Sequence, residues 1–214
     1  MSAVARTIVA AALAASCFAN RADAASLAPT RPCARDFDVP ITICNESYMT
    51  ASELDAIVAT AGSLWSPYGV TLAPVRERGV TVIVSHGSRG AQGSTQGRMV
   101  LGTTMFSDGH AMPYIHLWLD AAEELFYATV STHAWSMPSV ERDSRLVPIL
   151  GAALAHELGH ILLDTSGHTL DGMLQRLIPV RDLEHPTPAR LGLSVDQQIA
   201  LCTPKENHLS APSK

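Results

Sequence analysis

The feature that most constrains this 214-residue chain is an apolar run that ends in two histidines and a glutamate. Residues 147–155 are apolar or small, and the letters HELGH follow directly at 156–160. Apolar side chains recur at helical spacing across both segments, and Pro148 suits the first turn of a helix. The sequence therefore predicts a largely buried helix that begins near Pro148 and includes the HELGH pentapeptide.

Polar side chains on such a helix cost free energy unless they are hydrogen-bonded or bound to a cation. His156 and His160 are four residues apart, so their imidazoles lie one helical turn from each other and can point at the same atom. Neutral imidazoles bind Zn²⁺ at about 2.0–2.1 Å, and HExxH is typical of zinc sites whose glutamate is the general base. We predict that His156 and His160 bind zinc and that Glu157 activates a water. Two hydrogen-bonded structural histidines are the alternative.

Beyond the pentapeptide the chain continues as ILLDTSGH and then TLDGM, which ends at residue 173. The whole stretch resembles the metzincin clan of zinc peptidases, whose helix turns after HExxH, supplies a third histidine and places a methionine-containing turn beneath the metal. The resemblance implies three zinc ligands, a general base and a turn methionine. In this sequence they are His156, His160 and His168, then Glu157, then Met173.

The same resemblance implies the architecture of the domain. The architecture that the resemblance implies is an α+β metzincin-like zincin fold with a small mixed twisted sheet, an N-terminal packing helix and an active-site zinc helix. In that clan an edge strand, antiparallel and above the zinc helix, binds the extended substrate by main-chain pairing. We expect either strand 98–102 or strand 114–119 to take this place.

The spacing of the third histidine departs from the usual metzincin pattern HExxHxxGxxH. That pattern would place glycine at Leu163 and histidine at Ser166, whereas His168 comes two residues later. We expect the longer connection at 163–167 to turn back, because Asp, Ser and Gly favour turns and Gly167 permits positive φ just before His168. Asp164 is the alternative third ligand, since some zincins use a carboxylate in this region.

The first 24 residues have the pattern of a secretory signal peptide. Arg6 precedes an apolar core at 7–15 that is too short to span a bilayer, and residues 22–24 form an A-x-A cleavage site. Cys17 offers lipoprotein anchoring as an alternative. We therefore expect a secreted or periplasmic protein.

After the signal peptide at 1–24, we expect a single domain at 25–204 and a loose C-terminal tail at 205–214. The net charge is −5, and no basic block predicts binding to nucleic acid. No other apolar run reaches membrane-spanning length, so we expect no membrane span. We expect the protein to be a monomer.

Three cysteines remain after the predicted signal peptide, namely Cys33, Cys44 and Cys202. Export favours a disulfide bond, and an odd number predicts one pair and one free thiol. A bond between Cys33 and Cys44 would close a short loop. A bond from Cys202 to either of them would tie the C-terminal segment to the N-terminal one.

Other elements follow from periodicity and turn residues. Ser52 with Asp55, and Ser194 before residue 195, are helix-capping signals. Residues 80–84 are β-branched throughout, the clearest strand pattern in the chain. Residues 85–97 and the segment between Met173 and Ser194 have the composition of loops. We predict strands at 39–43, 70–72, 80–84, 98–102 and 114–119, and further helices at 52–65, 120–132 and 195–201.

These patterns together predict an exported zinc metalloendopeptidase that acts on a peptide or protein substrate. In this hypothesis a zinc-bound water, deprotonated by Glu157, attacks the scissile carbonyl. Two alternatives remain. One is a non-catalytic binding or structural domain whose zinc site is closed by Asp164 as a fourth ligand. The other is a zinc-dependent hydrolase of a non-peptide amide.

Overall fold

The computed structural model describes residues 36–75, 79–87, 100–129 and 139–203. Several predictions concern residues outside these ranges: the signal peptide at 1–24 with Cys17, the cysteine at position 33, most of the glycine-rich stretch, and the tail at 205–214. The described residues form an α+β structure built on a five-stranded mixed sheet. The α+β class is therefore as predicted.

The sheet has the strand order β2-β1-β3-β5-β4. β1, β2, β3 and β5 run parallel, and β4 pairs antiparallel with β5 through a two-residue turn. Asp108 and Gly109 in that turn have φ of 53° and 86°. Positive φ at both central residues is what a type I′ hairpin requires. The strands are β1 (Phe37–Glu46), β2 (Val70–Pro74), β3 (Val80–Ser85), β4 (Gly102–Ser107) and β5 (His110–Trp118).

Helices cover the face of the sheet that carries the alternating buried valines 80, 82 and 84 of β3. The helices are α1 (Ala51–Trp65), α2 (Leu119–Thr129), α3 (Ser139–Leu163), α4 (Val180–Glu184) and α5 (Val195–Cys202). α3 packs against α1, α2, α4, β4 and β5, so it lies at the centre of the core. The largest fully buried side chains come from both layers, with Trp65 and Phe126 on helices and Ile41 and Ile115 on strands.

The predicted positions of the helices and strands hold for most elements, with three corrections. The N-cap of α1 is Thr50, whose capping box uses Glu53, whereas Ser52 and Asp55 were expected. The fourth strand occupies 102–107, whereas 98–102 was expected; residues 98 and 99 lie outside the described part of the chain. The hairpin turn sets this register, because it pairs Ser107 with His110. The segment between Met173 and Ser194, expected to be loop throughout, contains the short α4. The capping box of α5 at Ser194 is confirmed.

The central helix is also longer than predicted. α3 begins at Ser139 and carries Pro148 inside it. An interior proline costs about 3 kcal/mol of helix stability. Burial of the neighbouring Leu146, Ile149 and Leu150, each at most 1% exposed, offsets that cost. Tertiary packing therefore allows the helix to continue through Pro148.

The extra length of α3 bears on the expectation that no run is long enough to span a membrane. Residues Glu141–Leu163 are long and apolar enough to do so, with a mean hydropathy of 1.6, but 78% of that window is buried inside the domain. A core helix passes the same test of length and composition, and packing on several sides is what a core helix shows.

Cys44 lies on β1 and carries an exposed, free thiol. The two expected alternatives that use Cys44, a disulfide with Cys33 and a disulfide with Cys202, are therefore wrong. A bond between Cys33 and Cys202 stays a prediction, since Cys33 is outside the described residues.

Candidate metal centre

The last turns of α3 hold the predicted motif against the rest of the core. His160 is 5% exposed and Glu157 is 7% exposed, whereas His156 is half-buried. The helix is fixed from behind by Trp65 of α1, whose indole Nε1 donates a hydrogen bond of 3.1 Å to the carbonyl oxygen of Ala155. The motif thus stands on a helix with little freedom to move.

α3 ends in a Schellman motif, which turns the chain back toward the HELGH pentapeptide at 156–160. The N–H of Thr165 donates to the carbonyl oxygen of His160 at 3.1 Å, and the N–H of Asp164 donates to that of Ile161 at 3.2 Å. Asp164 has φ of 45° and occupies the left-handed position that glycine usually takes. The connection turns back as expected, but the residue with positive φ is Asp164 and not Gly167. Asp164 lies one position after the glycine of the usual metzincin pattern, and His168 lies two positions after its histidine.

This turn brings the three predicted ligands together. One ring nitrogen each of His156, His160 and His168 lies within 4.8 Å of the others, and the group can hold a metal ion. The Nε2 atoms of His156 and His160 are 3.2 Å apart. His168 is exposed, so its side of the group opens to solvent.

Hydrogen bonds to backbone carbonyls decide which nitrogen two of the imidazoles present. Nδ1 of His156 donates to the carbonyl oxygen of Met173 at 2.7 Å, and Nδ1 of His160 donates to that of Thr165 at 2.6 Å. A carbonyl oxygen can only accept, so in the neutral rings each Nε2 carries a lone pair. Outer partners of this kind orient metal-binding histidines.

Two lone pairs that face each other at 3.2 Å repel unless a cation lies between them. Tetrahedral geometry with metal–nitrogen bonds near 2.0–2.1 Å would place two such nitrogens about 3.3 Å apart. The donor set and its spacing therefore fit a metal ion.

The protonation states of the three histidines also favour metal binding. Burial lowers the pKa of His156 to about 4, with a further contribution from the neighbouring His160. Burial also lowers the pKa of His160, and burial together with the positive charge of Arg176 lowers the pKa of His168. At neutral pH these rings are uncharged, which is the form that binds metal.

Met173 lies in a tight turn directly below His156. Its side chain is 1% exposed, and its N–H donates to the carbonyl oxygen of Gly192 at 3.2 Å. Gly172 has φ of 76°, and a Cβ there would lie 2.3 Å from the same Gly192 oxygen. The turn thus holds the Met173 carbonyl where His156 can bond to it.

Glu157 is held between α3 and the edge strand β4. The hydroxyl oxygen of Thr104 lies 2.8 Å from Glu157 Oε2 and 2.9 Å from the Glu157 carbonyl oxygen. Burial raises the pKa of Glu157 to about 7, and the bonds from Thr104 oppose that rise. A carboxyl with this pKa can both take up and release a proton near neutral pH.

The carboxylate of Asp164 forms hydrogen bonds away from the three histidines. Its Oδ2 lies 2.8 Å from Nδ1 of His110, and its Oδ1 accepts the N–H of Ala111 at 2.8 Å. Both carboxylate oxygens thus tie the end of α3 to the start of β5. Asp164 is not a member of the described group that can hold a metal ion.

The three histidines and Glu157 line a cleft of about 760 Å³. Thr104 and Gln175 are among the residues of this cleft that sequence analysis missed, and Gly102 was expected only as the end of a strand. Gln175 is 9% exposed. No local signal identifies the two β4 residues, because their closeness to the motif depends on strand order. The apolar walls include Leu101, Leu125, Ile178 and Leu183.

No protein-family model matches this sequence, and a search of curated proteins found no relative of it. Membership of the metzincin clan therefore stays a prediction.

Proposed function

We propose that this protein is an exported zinc metalloendopeptidase with a metzincin-like fold. One observation carries the proposal: three histidine nitrogens converge beside the buried carboxyl of Glu157 in an open cleft. A site that only stabilises the fold needs no carboxyl poised beside it, whereas hydrolysis does.

Zinc is the ion that this donor set suits. Imidazole nitrogens favour zinc, copper, iron and nickel, and three protein ligands with one open position are typical of catalytic zinc sites. When bound, zinc would supply an acidified water and would polarise a carbonyl oxygen.

Glu157 then has the role of general base and acid. Its carboxylate takes a proton from the attacking water, and its carboxylic acid returns that proton to the leaving amine. The burial that raises the pKa of Glu157 to about 7 favours both directions of transfer near neutral pH. Because Oε2 accepts the hydrogen bond from Thr104, Oε1 would be the atom that carries the transferred proton.

β4 supports a peptide as the substrate. It is an edge strand of the described sheet, and Gly102 and Thr104 of this strand line the cleft beside the histidines. An extended peptide can pair with such an edge through main-chain hydrogen bonds. An antiparallel edge strand next to the zinc helix is also what the metzincin resemblance implies.

The closed-site alternative is less well supported. It needs a fourth protein ligand, and Asp164, the candidate for that place, bonds to His110 and Ala111 with its two oxygens. The cleft also opens beside His168, which is exposed.

The proposal is tested with a mixed peptide library and the mature, zinc-loaded protein, using Glu157→Gln as the matched control. We expect the wild type to cleave. The variant should lose about 10²- to 10⁴-fold in turnover, because it cannot accept a proton, while it still holds one zinc. Zinc-loaded wild-type protein that cleaves no peptide would contradict the proposal, and loss of zinc from the variant would contradict the role of Glu157.

A further inference from the structure

β4 contacts Glu157 at two points, and the zinc motif itself requires neither. The first is the hydroxyl of Thr104, 2.8 Å from Glu157 Oε2. The second is Gly102, where a Cβ would lie 2.9 Å from Glu157 Cγ and 3.2 Å from Oε1. Thr104 therefore offers the Glu157 carboxyl a hydrogen-bond donor. Gly102, which has no side chain, leaves the space that the Glu157 side chain occupies.

The hydrogen bond distinguishes the two carboxylate oxygens. The Thr104 hydroxyl has one proton and lies within reach of Oε2 and of the Glu157 carbonyl oxygen, at 2.8 Å and 2.9 Å. A carboxyl that carries its proton on Oε1 still has a lone pair on Oε2 that can accept the proton of the Thr104 hydroxyl. The bond can therefore hold Oε2 against Thr104 whether or not Oε1 is protonated.

We propose that Thr104 and Gly102 are positioning residues that fix the side chain of Glu157 for proton transfer. This inference rests on the proposed peptidase function. A glutamate side chain has three rotatable bonds, so an unsupported carboxyl would spend part of its time away from the attacking water. The substrate-binding strand itself thus holds the general base in place.

The first test compares Thr104→Val with Thr104→Ser. Valine keeps the shape and the strand preference of threonine and removes the hydroxyl, whereas serine keeps the hydroxyl. We expect the valine variant to lose about 10- to 100-fold in kcat with little change in KM and in zinc content. The serine variant should stay within about 3-fold of the wild type. Thr81→Val on β3 controls for the exchange of a strand threonine. β5 lies between β3 and β4 in the sheet, so Thr81 is two strands away from the strand that contacts Glu157.

The second test uses Gly102→Ala. The added methyl group would displace Glu157 Cγ, so kcat should fall while zinc stays bound. A wild-type kcat in Thr104→Val, or a serine variant as impaired as the valine variant, would overturn the role of Thr104. A wild-type kcat in Gly102→Ala would overturn the role of Gly102.

Crystal structures of the zinc-loaded wild type, Thr104→Val and Thr104→Ser separate this inference from the proposed function. We expect Glu157 to leave its wild-type conformation in the valine variant and to keep it in the serine variant. Absence of cleavage by the wild type would remove the peptidase function. An unchanged Glu157 conformation in the valine variant would overturn the positioning role, whatever the activity.

Discussion

At the scale of single residues, the three histidines of the centre are not equivalent. His156 and His160 are oriented by hydrogen bonds to the carbonyl oxygens of Met173 and Thr165. His168 is exposed and has no such bond among the described residues. It is held by the turn at Asp164 instead, so the third ligand depends on backbone conformation more than the other two do.

This difference gives a test of the ligand assignment. Replacing His168 by alanine should weaken zinc binding by more than the roughly 10- to 100-fold that loss of an outer partner causes, because a direct ligand is removed. Asp164→Asn should bind zinc nearly as the wild type does, since asparagine tolerates the left-handed conformation and keeps an acceptor for Ala111. Titration against a competing chelator measures both affinities.

A contrary result would be informative at the same residues. If Asp164→Asn lost zinc as strongly as His168→Ala, Asp164 would be a ligand in solution, and the alternative considered from the sequence would be the better description.

At the scale of elements, the position of α3 depends on how closely α1 approaches it. A Cβ at Gly151 would lie 2.5 Å from Cβ of Thr60 and 3.1 Å from the carbonyl oxygen of Ile57. Only glycine therefore permits this crossing of α1 and α3. This close packing against α1 fixes the position of α3 and of the HELGH pentapeptide that it carries.

Gly151→Ala should lower the free energy of unfolding by about 1–3 kcal/mol, because the extra methyl group forces the two helices apart. Gly62→Ala in α1 is the matched control. Its nearest neighbour would be Leu72 at 3.9 Å, so alanine should be neutral or should stabilise the helix by up to about 1 kcal/mol. Urea denaturation of both variants measures the difference, and equal stability of the two would contradict the close-crossing argument.

Element prediction from the sequence succeeded for some local signals, although it missed the α1 cap at Thr50, and it was wrong where packing decides. Ser194 caps α5 as expected, since a capping box needs only neighbouring residues. The start of α3 and the bounds of β4 were wrong, because burial extends the helix past Pro148 and the hairpin register places the strand.

At the scale of the whole molecule, metal binding should be coupled to stability. The histidines lie on α3 and on the turn that follows it, and the Met173 turn supports them from below. A metal that binds the folded state alone stabilises it by mass action. A bound metal would also remove the repulsion between the lone pairs on Nε2 of His156 and Nε2 of His160.

We expect chelation of zinc to lower the Tm by about 5–11 °C relative to protein with zinc at one hundred times its Kd. This follows from about 2.7 kcal/mol of binding free energy and about 2–4 °C per kcal/mol for a domain of this size. Differential scanning calorimetry with and without chelator measures the shift. Glu157→Gln should show the same shift and His168→Ala a smaller one. A wild-type Tm that does not change with zinc would contradict the coupling.

The sequence by itself determined which side chains form the candidate metal centre. HELGH on an apolar helix specifies His156, Glu157 and His160, because the helical period alone brings side chains four residues apart to one face. A third histidine at a short distance along the chain completed the group.

Only the tertiary structure decided what surrounds that group. Thr104 is 53 residues from Glu157 along the chain, and the Met173 carbonyl is 17 residues from His156. The first contact depends on sheet order and hairpin register, and the second on a turn held by Gly192. Such contacts have no period in the sequence, since they exist only once separate elements pack against one another.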